Sequence, residues 1–199
     1  MPHARSLLLA ATGLALVASG CDTIAEKLGV DKVTVPLGSV GQNLAVSTTA
    51  GTIKTGSVSR GGGDLPDVFT VTSIEILPAN VSFAPTAATK TAQSGTVRAA
   101  LVVGSCVAAM TDVTVANNAV TALSPQDIAI GAVNMANFQA LVQKLPAAQR
   151  PTVTTACTKE GLAAELTKAS FSASLLAAVF SGDLNGTFGI QQGTFKLDF

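Results

Sequence analysis

Tryptophan and tyrosine are absent from this 199-residue sequence, and histidine occurs once, at His3. Each shortage removes a class of chemistry. With no histidine after His3, the body of the chain cannot assemble a Ser-His-Asp or Cys-His nucleophile pair. It also offers no imidazole ligand to zinc or copper and no Cys-x-x-Cys-His haem attachment. Charged residues make up 12% of the chain, with Lys+Arg and Asp+Glu equal at 12 each. The basic residues are scattered singly from Lys27 to Lys196, which leaves no electrostatic footprint for nucleic acid. The missing Trp and Tyr count against carbohydrate platforms, which rely on amphipathic aromatic rings. Catalysis would have to rest on carboxylates, Lys or Ser alone, and no spacing in the chain suggests such a site. The expectation is a non-enzymatic protein with no cofactor and no metal. A mean hydropathy of +0.48 argues against long disorder.

What is present begins with the first 21 residues. Arg5 supplies an early positive charge, Leu7 to Val17 form an apolar run, and Ala18-Ser19-Gly20 place small side chains ahead of Cys21, the layout of a secretion signal. A spanning helix needs roughly 20 apolar residues, more than this run supplies, so the segment reads as processed. The arrangement resembles the lipobox of bacterial lipoproteins, with Ala18 where that family most often has Leu. The resemblance implies that Cys21 is the lipid attachment site, carrying diacylglycerol and palmitate-class acyl chains and becoming the new N-terminus. Each buried lipid CH₂ contributes about 0.8 kcal/mol, so two or three chains together hold firmly. The implied partner is a membrane of the bacterial cell envelope, on the periplasmic or outer surface. In some bacteria of this kind Asp22 would act as an inner-membrane retention signal. The other reading of the same residues is an ordinary signal peptide beside an incidental thiol.

The expected organisation is therefore a signal peptide at 1–20, a lipidated cysteine with a short tether at 21–32, and one β-rich domain at 33–199. Within that domain Cys106 and Cys157 remain. An exported chain sits where thiols can pair, and a bridge here would stabilise by up to about 4 kcal/mol in the chain-entropy model. Two buried free thiols are the alternative, since cysteine packs like a small hydrophobe.

Alternation of β-branched residues dominates the rest. Strands are predicted at Val33 to Leu37, Asn43 to Thr48, Thr52 to Ser59, Val68 to Ile76, Val81 to Ala84, Thr96 to Val103, Cys106 to Val115, Ala119 to Leu123 and Asp127 to Gly131. Three more follow at Ser170 to Phe180, Gly186 to Ile190 and Thr194 to Phe199, with a turn at Ser181-Gly182-Asp183. Asn117-Asn118 fits a tight hairpin turn, because Asn tolerates positive φ. One helix is predicted from Asn134 to Leu145, with Met135, Phe138, Leu141, Val142 and Leu145 at helical spacing and Pro146 as its stop; its apolar stripe should cap the sheets. A second, Lys159 to Lys168, is weakened by Gly161. The fold class is all-β, an antiparallel sandwich or barrel-like domain with one inserted helix.

The remaining motifs read as ordinary structure. Asp183-Leu184-Asn185-Gly186 resembles half of a calcium loop but lacks the later ligands, so a plain turn is expected. Arg60-Gly61-Gly62-Gly63-Asp64 lacks the Lys-Ser/Thr of a phosphate cradle and reads as a loop. Glu160 and Glu165 read as surface charge, and the Asn80 and Asn185 sequons as chance. Phe195, Leu197 and Phe199 resemble the closing strand of outer-membrane β-barrels, a competing reading to a core strand. The expected function is a lipid-anchored envelope module that binds or scaffolds another envelope protein. The alternatives are a binder of an apolar small molecule, its ligand unknown, and a small membrane barrel.

Overall fold

Val33 and Val35, alternating with polar neighbours, form β1 (Lys32–Pro36), and a single turn of 3-10 helix at Gly38–Gly41 leads into β2 (Leu44–Ser47) and β3 (Thr52–Ser59). Next come β4 (Ser73–Leu77), β5 (Asn80–Pro85), β6 (Gly95–Val103), β7 (Cys106–Ala116) and β8 (Ala119–Val120). Two helices, α1 (Met135–Lys144) and α2 (Lys159–Leu166), precede β9 (Ser170–Gly182), β10 (Asn185–Gln191) and β11 (Thr194–Asp198). The computed structural model describes residues 32–59, 70–77, 80–86, 91–121, 123, 130–191 and 193–199.

The pairing follows one rule. The first three strands meet the last three in reverse order: β1 with β11, β2 with β10 and β3 with β9, all antiparallel. The opposite edges of the same C-terminal strands carry β4, β5 and β6. The run β9-β10-β11 is thus the spine of a single three-stranded ribbon, kinked into separate sheets. β4 and β5 share one register: Leu77 faces Thr194, and Asn80, three residues on, faces Gln191, three residues back. β7 and β8 widen the last segment into a five-stranded sheet, β3-β9-β6-β7-β8. The β7-β8 hairpin turns through Asn117 (φ 50°) and Asn118 (φ 65°), the double positive φ that a two-residue turn requires.

Between β9 and β10 the ribbon doubles back on itself. Gly182 has φ +76°, and a Cβ there would overlap the Ser94 carbonyl oxygen; glycine is what lets two backbones cross so closely. The two small sheets then cover the inner face of the five-stranded sheet, and Phe195 of β11 meets Phe171 of β9 edge-on, ring centroids 6.2 Å apart. Alternate residues supply this core: Val97, Ala99, Leu101 and Val103 from one side, Val35, Leu44, Phe188 and Leu197 from the other. The result is an all-β sandwich with helices inserted between its strands. A bulge in β7 sets Leu101 opposite Ala109 but Val102 opposite Val107, so Ala108 and Ala109 both reach the inner core while Val107 turns outward.

α1 lies on the outer face of the five-stranded sheet, where Phe138, Leu141, Val142 and Leu145 cover Ala100, Val102, Leu176 and Ala178. The apolar stripe of the helix therefore covers one sheet, on its outer face. Beside it, Arg98 forms a two-pronged salt bridge to Asp112 at 2.6 and 2.8 Å and stacks 4.1 Å over the Phe180 ring. The hydrogen bond that Arg98 donates to Asp112 raises the Arg98 pKa above its ordinary value. The end of the sandwich opposite the corner is closed by α2, whose Leu162 and Leu166 are fully buried in the inner core.

Other boundaries differ from expectation. The strand expected from Val68 begins only at Ser73, because β11, its partner, ends its register at Asp198; Val68 and Phe69 lie outside the described residues. β8 extends only to Val120, although the Thr121 N–H still donates to the Thr114 carbonyl of β7 at 3.0 Å; position 122 lies outside the described residues. Ile130 and Gly131 form a turn with Gly131 at φ +78°, not the end of a strand; positions 127–129 lie outside the described residues. β9 runs on through Gly182 because Ser181 and Gly182 pair with Thr96 and Gly95, which moves the turn to Asp183-Leu184. α2 forms despite Gly161: Thr158 Oγ1 accepts the Gly161 N–H at 3.0 Å, an N-cap that uses the glycine amide.

Candidate functional site

At the corner end of the sandwich, the β2-β3 turn, the start of β10 and the C-terminal end of α1 surround an open groove of about 420 Å³. That lies within the roughly 300–1,000 Å³ of typical ligand sites. Its walls carry the hydroxyls of Ser47, Thr52 and Thr86 and the amides of Gln149 and Asn185, beside the small residues Ala45, Gly51 and Gly186. No ionisable or aromatic side chain is among the lining residues. Such a surface gives and accepts neutral hydrogen bonds; it holds no group for moving protons.

The walls are held by a polar lattice. Gln93, only 6% exposed, bonds both main-chain groups of Asn185 with its side-chain amide. Its Nε2 donates to the Asn185 carbonyl at 3.2 Å, and its Oε1 accepts the Asn185 N–H at 2.6 Å. A side chain here does what a neighbouring strand would do. The Thr86 N–H donates to the same Asn185 carbonyl at 3.0 Å. The Asp183 carboxylate accepts from the Thr48 hydroxyl and from Asn185 Nδ2, both at 3.0 Å, tying the β9-β10 turn to the β2-β3 turn. Asp183 is thus engaged as a turn staple. Among the described residues no group of three or more His, Cys, Asp or Glu is arranged to hold a metal ion.

The two cysteines that sequence reasoning paired are together. Cys106 at the start of β7 and Cys157 ahead of α2 are bonded, with Cα atoms 4.9 Å apart, so the free-thiol alternative does not apply. Cys21 lies outside the described residues, as do Arg60 to Asp64. Glu160 and Glu165 share α2 but sit about 140° apart around a helix of 3.6 residues per turn; Glu165 pairs with Lys168 at 2.6 Å. Asn80 is exposed at the start of β5, whereas Asn185 is half-buried. Gln93 went unnoticed in the sequence because the short polar stretch around it has no periodicity, and its partner lies 92 positions away. A second cavity, about 20 Å³, lies between the layers and is lined by apolar side chains such as Leu37, Ile76, Leu101 and Ile190. Compared with models of protein families, with curated proteins and with solved structures, the chain matches none.

Proposed function

We propose that this chain is a lipid-anchored binding or scaffolding module of the bacterial cell envelope, held to its membrane through acylated Cys21 and meeting an envelope protein at the groove end. The observation that carries the reading is a leader ending in Cys21 on a chain whose other cysteines, Cys106 and Cys157, are joined in a bridge, a feature suited to an oxidising compartment. β1 starts at Lys32, at the sandwich end occupied by Asp198 and Ser73. The stretch from Asp22 to Lys32 reaches at most about 36 Å, so that end would sit near the bilayer and the groove would face away from it. The groove's neutral lining suits a polypeptide surface better than a charged ligand.

Two alternatives draw less support. An apolar ligand of ordinary size needs some 300 Å³, whereas the apolar cavity found among the described residues offers about 20 Å³. A membrane barrel turns its apolar residues toward lipid, whereas Phe195 and Leu197 are fully buried in the inner core. The test has two arms in the native host. Cys21→Ser is expected to move the protein from the membrane fraction to the soluble one; its retention on membranes would refute the anchor. Ala45→Arg, which fills the groove from an exposed position, is expected to abolish crosslinks to a partner captured through a tag after Phe199. An unchanged crosslinking pattern would remove the groove from the proposal.

A further inference from the structure

We propose that α2 is an end cap locked by the Cys106–Cys157 bridge: reduction lets residues 155–168 lift from the sandwich while the strands stay folded. The end opposite the corner is where the β6-β7 turn, Thr72 and the start of β9 converge, and α2 spans it. Lys159 donates to the Thr72 carbonyl on the small-sheet side, while the Glu165 side chain lies against Gly104 on the five-stranded side. Beneath the helix is the apolar inner core, into which Leu162 and Leu166 insert.

Beyond the burial of Leu162 and Leu166, few polar ties among the described residues hold this cap. The segment ahead of it joins β7 through one isolated parallel bridge, with Val107 N–H to the Thr155 carbonyl at 3.0 Å and Cys157 N–H to the Val107 carbonyl at 2.9 Å. The Glu165–Lys168 ion pair is internal to the cap and holds it to nothing. A helix of eight residues containing Gly161 falls well below the 12–15 residues at which isolated helices become even marginal. Once unseated, it has no reason to stay helical, and the freed chain entropy favours the open state. The bridge is the one covalent tie across this seam, and it joins the cap to the strand turn.

The bond is also open to attack from one side. Cys157 is 3% exposed, whereas Cys106 is half-buried at the turn, so an incoming thiolate reaches the Cys106 sulfur. With a dithiol reductant, the first thiolate attacks Cys106 Sγ and the Sγ–Sγ bond breaks. Cys157 leaves as a thiolate and takes a proton. The second reductant thiol then displaces Cys106, which also takes a proton. Two electrons and two protons pass to the protein, and the reductant ends as its own disulfide. The central strands β6 and β9 are paired on both edges, and their ladders do not depend on the bridge.

The experiment compares amide hydrogen exchange in the oxidised and dithiol-reduced protein under native conditions, together with binding of an apolar fluorescent dye. In the reduced form the amides of 157–166 are expected to exchange at least ~100-fold faster, those of β6 and β9 to change less than ~3-fold, and dye fluorescence to rise and then fall on reoxidation. Unchanged exchange at 157–166 would show that the cap needs no lock. Equal acceleration in β6 and β9 would make the bridge a staple of the whole fold. Either result overturns the proposal. The pair Cys106→Ala with Cys157→Ala repeats the measurement without reductant, and if that variant does not fold, reduction of the folded wild-type protein still reads the same amides.

Discussion

Gln93 shows how one residue decides a local geometry. Where the ribbon turns its corner, β2 lies along one edge of Asn185 but the β5 register ends one residue short, at Gly186 opposite Pro85, and the Gln93 side-chain carbonyl oxygen takes the Asn185 N–H at 2.6 Å. The Asn185 carbonyl keeps a second donor in Thr86, so the N–H is the group at risk. Gln93→Leu would leave that N–H without an acceptor at a half-buried site, and orphaning a fully buried donor costs about 1–3 kcal/mol. Urea denaturation is expected to show a loss of about 1 kcal/mol, the low end of that range, with an unchanged m-value. Arg98 works by another route: its fork matches the Asp112 carboxylate while its flat face covers Phe180, joining three strands of the five-stranded sheet through one side chain.

At the scale of elements, α1 is specified at both ends, though only one end is local. Asn134 accepts from the N–H groups of Ala136 and Asn137 at 3.0 and 3.2 Å, a cap made within one turn of chain. The other end draws on one distant residue, Gly51, as well as on the nearby Arg150. Gly51 N–H reaches the Lys144 carbonyl at 2.9 Å, and Arg150 donates to the carbonyls of Leu145 and Gln143 at 3.1 and 3.0 Å. Asn134→Ala is expected to cost about 1 kcal/mol, as loss of an N-cap does, and to lower the melting temperature. Faster exchange confined to the Ala136 and Asn137 amides would accompany it. Hydroxyl pairs mark the solvent side of the β3-β9 ladder, where Thr55 lies 2.8 Å from Ser174, while Val58 and Phe171 face inward as neighbours. That alternation is why the strand limits of β3 were legible residue by residue.

The whole molecule rests on a ribbon that must fold over itself at one corner. Gly182 stands where β9 ends, and any side chain there would collide with the main chain of Ser94 and Gly95. Gly182→Ala combines that collision with a positive φ, a conformation that alone costs a residue with a side chain of order 1–3 kcal/mol. A loss of about 3 kcal/mol or more is expected in chemical denaturation. A near-neutral result would mean that the two layers tolerate a wider corner. The groove, framed by this corner, and the α2 cap, at the other end, are both products of the doubling-back.

The amino-acid sequence by itself determined the β class, most strand positions, the Asn117-Asn118 turn and the first helix, because alternation and helical spacing act between residues a few positions apart; it left the second helix weak at Gly161. It also singled out Cys106 and Cys157 as a candidate pair while leaving free thiols open. Tertiary structure alone decided that β9, β10 and β11 form the spine between the first and middle strands, that α1 roofs a sheet and α2 closes an end, and that Gln93 and Asn185 frame a groove. Those outcomes depend on contacts across much of the chain, as between Gln93 and Asn185 or between Phe171 and Phe195. No local pattern encodes them: they follow from burying both inner faces of one ribbon against each other, which only the closed fold achieves.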